Sequence, residues 1–138
     1  MTNNSQNSLN LSSPAIVTNL PENNSSHSLA LTIAHAAENR KAEDITILNV
    51  IEVSYLTDAF VIATGFSKAQ VRAISDEVQE KVETEWQRQP LRVQGESEAS
   101  WVVLDYGEVI VHIMLPAERE YYNLEAFWGH AERIDFPS

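Results

Sequence analysis

The residues best placed to do chemistry are Gly65-Phe66-Ser67, which follow an apolar run and precede a helical pattern. A glycine and a serine at a strand-to-helix junction can offer free backbone amides to a phosphate. Phosphoryl chemistry also needs paired carboxylates to hold Mg²⁺ and neutralise the phosphate cluster. The nearby strands supply only single acids, Asp58 and Asp105, with no acid-x-acid pair between them. Ser67 therefore reads first as a helix cap, because Gln70 three residues on completes a capping box. The four histidines, His27, His35, His112 and His130, show no i, i+4 spacing and no cysteine accompanies them, so no metal and no cofactor is expected. His112, between Ile110 and Met114 on one strand face, reads as a hydrogen-bonded histidine at the margin of the core. No nucleophile and base stand together, so no catalytic residue is assigned.

Composition narrows the classes further. A chain of 138 residues with 43% apolar content is enough for one domain with a real core. Without cysteine there is neither a disulfide nor a cysteine-rich zinc site, and no apolar run is long enough to span a bilayer. The first residues lack the order of a signal peptide and the arginines of a transit peptide, which makes a cytoplasmic protein the default expectation. The net charge of −11 opposes direct binding to RNA, itself a polyanion, and favours a basic protein surface.

The elements that must position these residues follow from periodicity. Residues 1–26 are rich in Asn and Ser and read as a disordered tail; tripeptides such as Asn10-Leu11-Ser12 are accidents of its composition. Leu29, Ile33 and Ala36 predict a helix over 28–39, Ile45 to Val50 a strand, and Ala59 to Thr64 a second strand that Gly65 ends. Val71, Ile74, Val78 and Val82 define the buried stripe of a helix that begins after Ser67 and is closed by Pro90. Leu91 to Gln94 alternates as an edge strand does.

Everything else is organised around residues 100–128. Trp101 to Asp105 and Val109 to Leu115 are apolar on both alternating faces, which predicts two antiparallel strands at the sheet's centre. Asp105-Tyr106-Gly107-Glu108 predicts the reversal between them, with Gly107 supplying a positive φ. Pro116 then opens a single helix over 117–128 whose Tyr121, Tyr122, Leu124, Phe127 and Trp128 offer more apolar surface than one sheet contact covers. Trp101 on its strand reads as core filler ahead of contact residue. Residues 130–138 read as a frayed C-terminal tail, leaving 27–129 as the domain. The predicted fold is an α/β sandwich with a central mixed sheet of about five strands and helices on both faces.

The run W-V-V-L-D-Y-G-E-V-I-V-H-I followed by E-R-E-Y-Y-N-L-E-A-F-W closely resembles the ribosomal silencing factor, or iojap, family. Lys41-Ala42-Glu43-Asp44-Ile45 and Thr57 to Gly65 agree with it, so the resemblance runs from near Ser28 to Trp128. It implies a nucleotidyltransferase-like α/β fold and a non-enzymatic adaptor. Such an adaptor would bind a basic protein of the large ribosomal subunit, the one numbered fourteen in bacteria, at the subunit-joining face, so that the small subunit cannot dock and translation falls. Little direct RNA contact, no membrane contact and a homodimer of the free protein go with that expectation. Matching positions imply Trp101, Asp105, Tyr106, Glu118, Tyr122, Leu124, Glu125 and Trp128 as partner-binding residues and Gly107 as the structural turn. A nucleotide-handling enzyme and a homodimeric scaffold with another partner stay open as alternatives.

Overall fold

The computed structural model describes residues 25–134 and Phe136. Nearly all of the segment expected as an N-terminal tail lies outside the described residues. In chain order the elements are α1 (Ser25–Asn39), β1 (Glu43–Asn49), β2 (Ala59–Thr64), α2 (Lys68–Trp86), β3 (Arg92–Gln94), β4 (Trp101–Asp105), β5 (Val109–Met114), α3 (Pro116–Tyr122), α4 (Leu124–Phe127) and β6 (Glu132–Ile134). The strands form one mixed sheet in the order β3-β4-β5-β2-β1-β6, in which only β2 and β5 run parallel. This is the expected single-domain α/β sandwich with helices on both faces, and it is compatible with the nucleotidyltransferase-like label.

Three differences from the sequence reading have physical causes. A sixth strand comes from the segment expected to fray: β6 pairs antiparallel with β1, placing Ile134 opposite Ile47, and covers an edge that would otherwise be bare. The hairpin of β4 and β5 is off-centre, because the middle of the sheet is the β5–β2 pair and β4 is one strand from the edge. The expected single helix over 117–128 is two short ones, since Asn123 takes a left-handed conformation (φ 46°) that an α-helix cannot continue through.

Alternation along the strands divides the core in two. Ile47, Ala59, Val61, Ala63, Val102, Leu104, Val109, Val111 and Ile113 face α1 and α2, whose Leu29, Ile33, Val71, Ile74, Val78 and Val82 cover them completely. Alanines 30, 34, 36 and 37 let α1 lie close to the sheet. Gly65 has the same effect for α2, because a Cβ there would stand 3.0 Å from Val71 Cγ2 and 3.2 Å from Ile74 Cδ1. Ser67 caps α2 by accepting from the Gln70 amide at 3.0 Å, while Gln70 Oε1 accepts from Phe66 N at 2.7 Å. The helix ends at Gln87, left-handed at φ 53°, and so stops before Pro90 is reached.

Candidate functional site

The second face of the sheet is only partly covered. Leu48, Val50, Phe60, Ile62 and Met114 make a smaller core there with Trp101, Ile110, Leu124, Trp128 and Ala131 at its margin. Four residues of α4 and seven of α3 are too little helix to roof six strands. What remains is an apolar groove of about 520 Å³ whose floor is Phe60, Val103, Ile110 and His112 and whose walls are Trp101, Tyr122, Leu124, Phe127 and Trp128. Arg92, Gln94 and Asp105 line its outer end, along β3 and the end of β4.

The groove's aromatic rings hold one another in place. Trp101 packs against Tyr122 with tilted rings whose centroids are 4.7 Å apart, and Phe60 meets Trp128 at 5.3 Å. Trp101 Nε1 donates to His112 Nδ1 at 3.0 Å, and burial pushes the His112 imidazole down to about 4, so it is neutral at physiological pH. Tyr122 and Phe127 nonetheless leave 51% and 77% of their surface exposed. Leu56, 81% exposed, also lines the groove, and Tyr121 extends the apolar surface from Tyr122, which it meets at 4.9 Å.

The wall is fastened by a polar clamp on the same sheet face. Arg119 donates from Nη1 to Thr64 Oγ1 (2.9 Å) and from Nη2 to Thr46 Oγ1 (3.1 Å), and pairs with the Glu125 carboxylate. Burial pushes the Glu125 carboxyl up, but the Arg119 hydrogen bond and charge outweigh it and hold the group below its ordinary value. Because α3 contributes Arg119 and α4 contributes Glu125, the pair fixes the angle between the two helices across Asn123. The turn of the hairpin is locked in a similar way. Arg88 grips both Glu108 oxygens (2.7 and 2.8 Å) and the Tyr106 carbonyl (2.6 Å), while Asp105 Oδ1 accepts from Gly107 N, which sits at φ +95°.

Five of the eight expected contact residues, Trp101, Asp105, Tyr122, Leu124 and Trp128, line the groove, and a sixth, Glu118, lies half-buried on α3. Two are placed otherwise. Tyr106 is fully buried in the helix-side core, where burial raises its phenol to about 12, so its side chain is out of a partner's reach. Glu125 commits its carboxylate to Arg119, at 16% side-chain exposure, and so is held by the fold. Sequence reading missed Phe60, Ile110, Val103 and Arg119 as parts of the site. The first three carry the alternate-face signal of strands already recognised; the Arg119 clamp depends on the Asn123 break, which nothing in the spacing foretold.

The Gly65-Phe66-Ser67 junction is occupied by its own cap, with the Phe66 and Gln70 amides both taken. Among the described residues no group of three or more His, Asp or Glu side chains could hold a metal ion, and no helix is long and apolar enough to cross a membrane. Asp58 is drawn into the fold by Ser26, whose hydroxyl donates to it at 2.6 Å.

The sequence profile described as "ribosomal silencing factor during starvation" matches residues 23–138. This chain belongs to the ribosomal silencing factor family. It is 38% identical over 111 residues to the ribosomal silencing factor of Halalkalibacterium halodurans, covering 80% of this chain and 94% of that one. It is 41% identical over 111 residues to the chloroplastic protein Iojap of Zea mays, of whose length it spans only 47%. The crystal structure of a Chromobacterium violaceum protein superposes with a TM-score of 0.73 at 33% identity, over 83% of this chain and 94% of that one. The Halalkalibacterium halodurans relative thus carries the name of a regulator.

Proposed function

We propose that this chain represses translation by docking its aromatic groove on a basic protein of the large ribosomal subunit, the one numbered fourteen in bacteria, and so keeping the small subunit from joining. Family membership supports the coarser part, a ribosome-associated repressor of translation. The observation that carries the finer part is the groove itself: an uncovered, aromatic-walled sheet face on a chain of charge −11. Aromatic side chains held rigid by their neighbours suit the desolvated centre of a protein contact, and acids at the rim suit a basic partner. In this reading Trp101, Tyr122, Leu124 and Trp128 form the centre of the contact, with Asp105 and Glu118 at its edge. The action is steric and works by mass action, since occupying the joining face removes large subunits from the pool that can pair. No reaction is required of the chain. The charge balance keeps direct RNA contact small.

Sedimentation through a sucrose gradient tests the reading. The full chain should travel with free large subunits and be depleted from assembled ribosomes, and adding it to purified subunits should lower the assembled fraction. Protein found mainly on assembled ribosomes, or subunit joining unaffected at saturating protein, would refute it. A homodimer of the free protein that used the same face would compete with the ribosome, and a protein-concentration series in the same gradient would show that competition.

A further inference from the structure

The floor of the groove is apolar except at one point. His112 stands in a row across the strands that runs Gln94, Val103, His112, Ile62, so that Val103 separates it from Gln94 on one side and Ile62 borders it on the other. An indole N–H can only donate, and its acceptor here is His112 Nδ1, at 3.0 Å. The accepting nitrogen therefore carries no proton, and the proton of the neutral ring sits on Nε2. A second proton on Nδ1 would collide with the indole hydrogen, which agrees with the low affinity of this imidazole for protons. Phe60 and Trp101 pack against the ring at 5.4 and 5.8 Å, and no acceptor for Nε2–H is found among the described residues. The floor thus holds a hydrogen-bond donor of fixed position and fixed tautomer inside an apolar, aromatic trough.

We infer that His112 is the specificity-determining donor of the groove, positioned by Trp101, and that the partner segment seated there meets it with an uncharged acceptor. Such an acceptor is a main-chain carbonyl or a hydroxyl or amide oxygen next to an apolar anchor side chain. The inference rests on the docking reading above and deepens it. A lysine or arginine tip is excluded from the floor, because it would bring a donor against a donor and bury its charge among Phe60, Ile110 and Trp128. The basic side chains of the partner belong at the rim, with Asp105 and Glu118. Leaving an acceptor unmet in a buried contact costs far more than a neutral exchange of partners, so the donor discriminates between segments of equal apolar area.

The tautomer is measured first, on the full chain alone, by long-range ¹H–¹⁵N correlation of the imidazole. The expected pattern is Nε2–H with a bare Nδ1, collapsing to a mixture in Trp101→Phe. A charged ring at neutral pH, or the proton on Nδ1, would overturn the inference. Binding to purified large subunits is measured second. His112→Phe, which keeps the flat apolar volume and removes the donor, should weaken binding about tenfold or more, with only a small drop in melting temperature from the unmet Trp101 indole N–H. His112→Gln, which restores a donor, should bind within a few-fold of the wild type. Wild-type affinity in His112→Phe would overturn the donor role alone, whereas failure of the wild type itself to bind large subunits would overturn the docking reading and the partner with it.

Discussion

Replacing Arg119 by alanine tests whether the groove wall is held by the clamp or by the helices' own packing. The side chains of Arg119 and Glu125 are only 12% and 16% exposed, so solvent does little to weaken the pair. Removing the guanidinium leaves the buried Glu125 carboxylate with only the weaker pull of the Arg133 charge and releases Thr46 and Thr64 as well. Loss of one partner from a buried pair costs about 3 kcal/mol at the lower end of what such pairs show, which for a domain of this size lowers the melting temperature by roughly 10 °C. Glu125→Gln, which keeps the shape and a hydrogen-bonding oxygen, should cost about 1 kcal/mol. Thermal melts followed by circular dichroism supply the magnitudes, and exposure of the wall is read from Trp fluorescence, since Trp101 and Trp128 both border the groove. If the clamp orients the wall, binding to large subunits should weaken in Arg119→Ala even at temperatures where the protein remains folded. An Arg119→Ala variant that melts like the wild type yet no longer binds would refute the clamp and make Arg119 a contact residue. One that melts early yet binds normally when folded would show that the wall keeps its place unaided.

Acid melts should reveal the same pair. The folded-state carboxyls of Glu125 and Glu108 are both held below their ordinary value, the latter chiefly by the Arg88 hydrogen bond, so each adds stability that is present above about pH 4.5 and is lost as pH falls through the folded value. Glu125→Gln should flatten that part of the stability curve, and an unchanged acid limb would count against the assignment. Tyr122→Ala, at a half-exposed position, should weaken large-subunit binding with less than about 1 kcal/mol lost in stability, whereas Leu124→Ala should cost about 2 kcal/mol in a urea melt. Glu118→Lys should weaken binding by placing like charge opposite a basic surface, with melting unchanged; Glu125→Lys should instead destabilise the fold.

Much of the fold was legible because its signals are local. The stripe of Val71, Ile74, Val78 and Val82 and the Ser67 to Gln70 cap define α2 within one window of sequence, and Gly107 marks the hairpin turn where it occurs. What escaped depends on distant partners. The strand at 132–134 is three residues long and polar at two of them, and only its pairing with β1 makes it a strand. The break at Asn123 runs through a stretch that satisfies helical periodicity, and the tertiary bonds of Arg119 favour the broken form over the straight one. The same cause explains the site. Trp101, Tyr122, Leu124 and Trp128 were identified as residues, but a run that is apolar on both faces reads as sealed on both, and the open groove follows from how little helix is left to cover it.

The division of the sheet into a sealed and an open side also gives the β4–β5 hairpin a parity. Val102 and Leu104 belong to one side and Trp101, Val103 and Asp105 to the other, with His112 across from Val103. Sliding β4 by a single residue would exchange the two sets, sending valine and leucine into the groove and an indole and a carboxylate under the helices. The groove in this chain therefore depends on an odd-or-even count, kept by Gly107 and the Arg88 grip on Glu108. A one-residue insertion in that turn that shifted the register would dismantle the groove though every groove residue were still present, while a length change in the β1–β2 loop would leave the count intact.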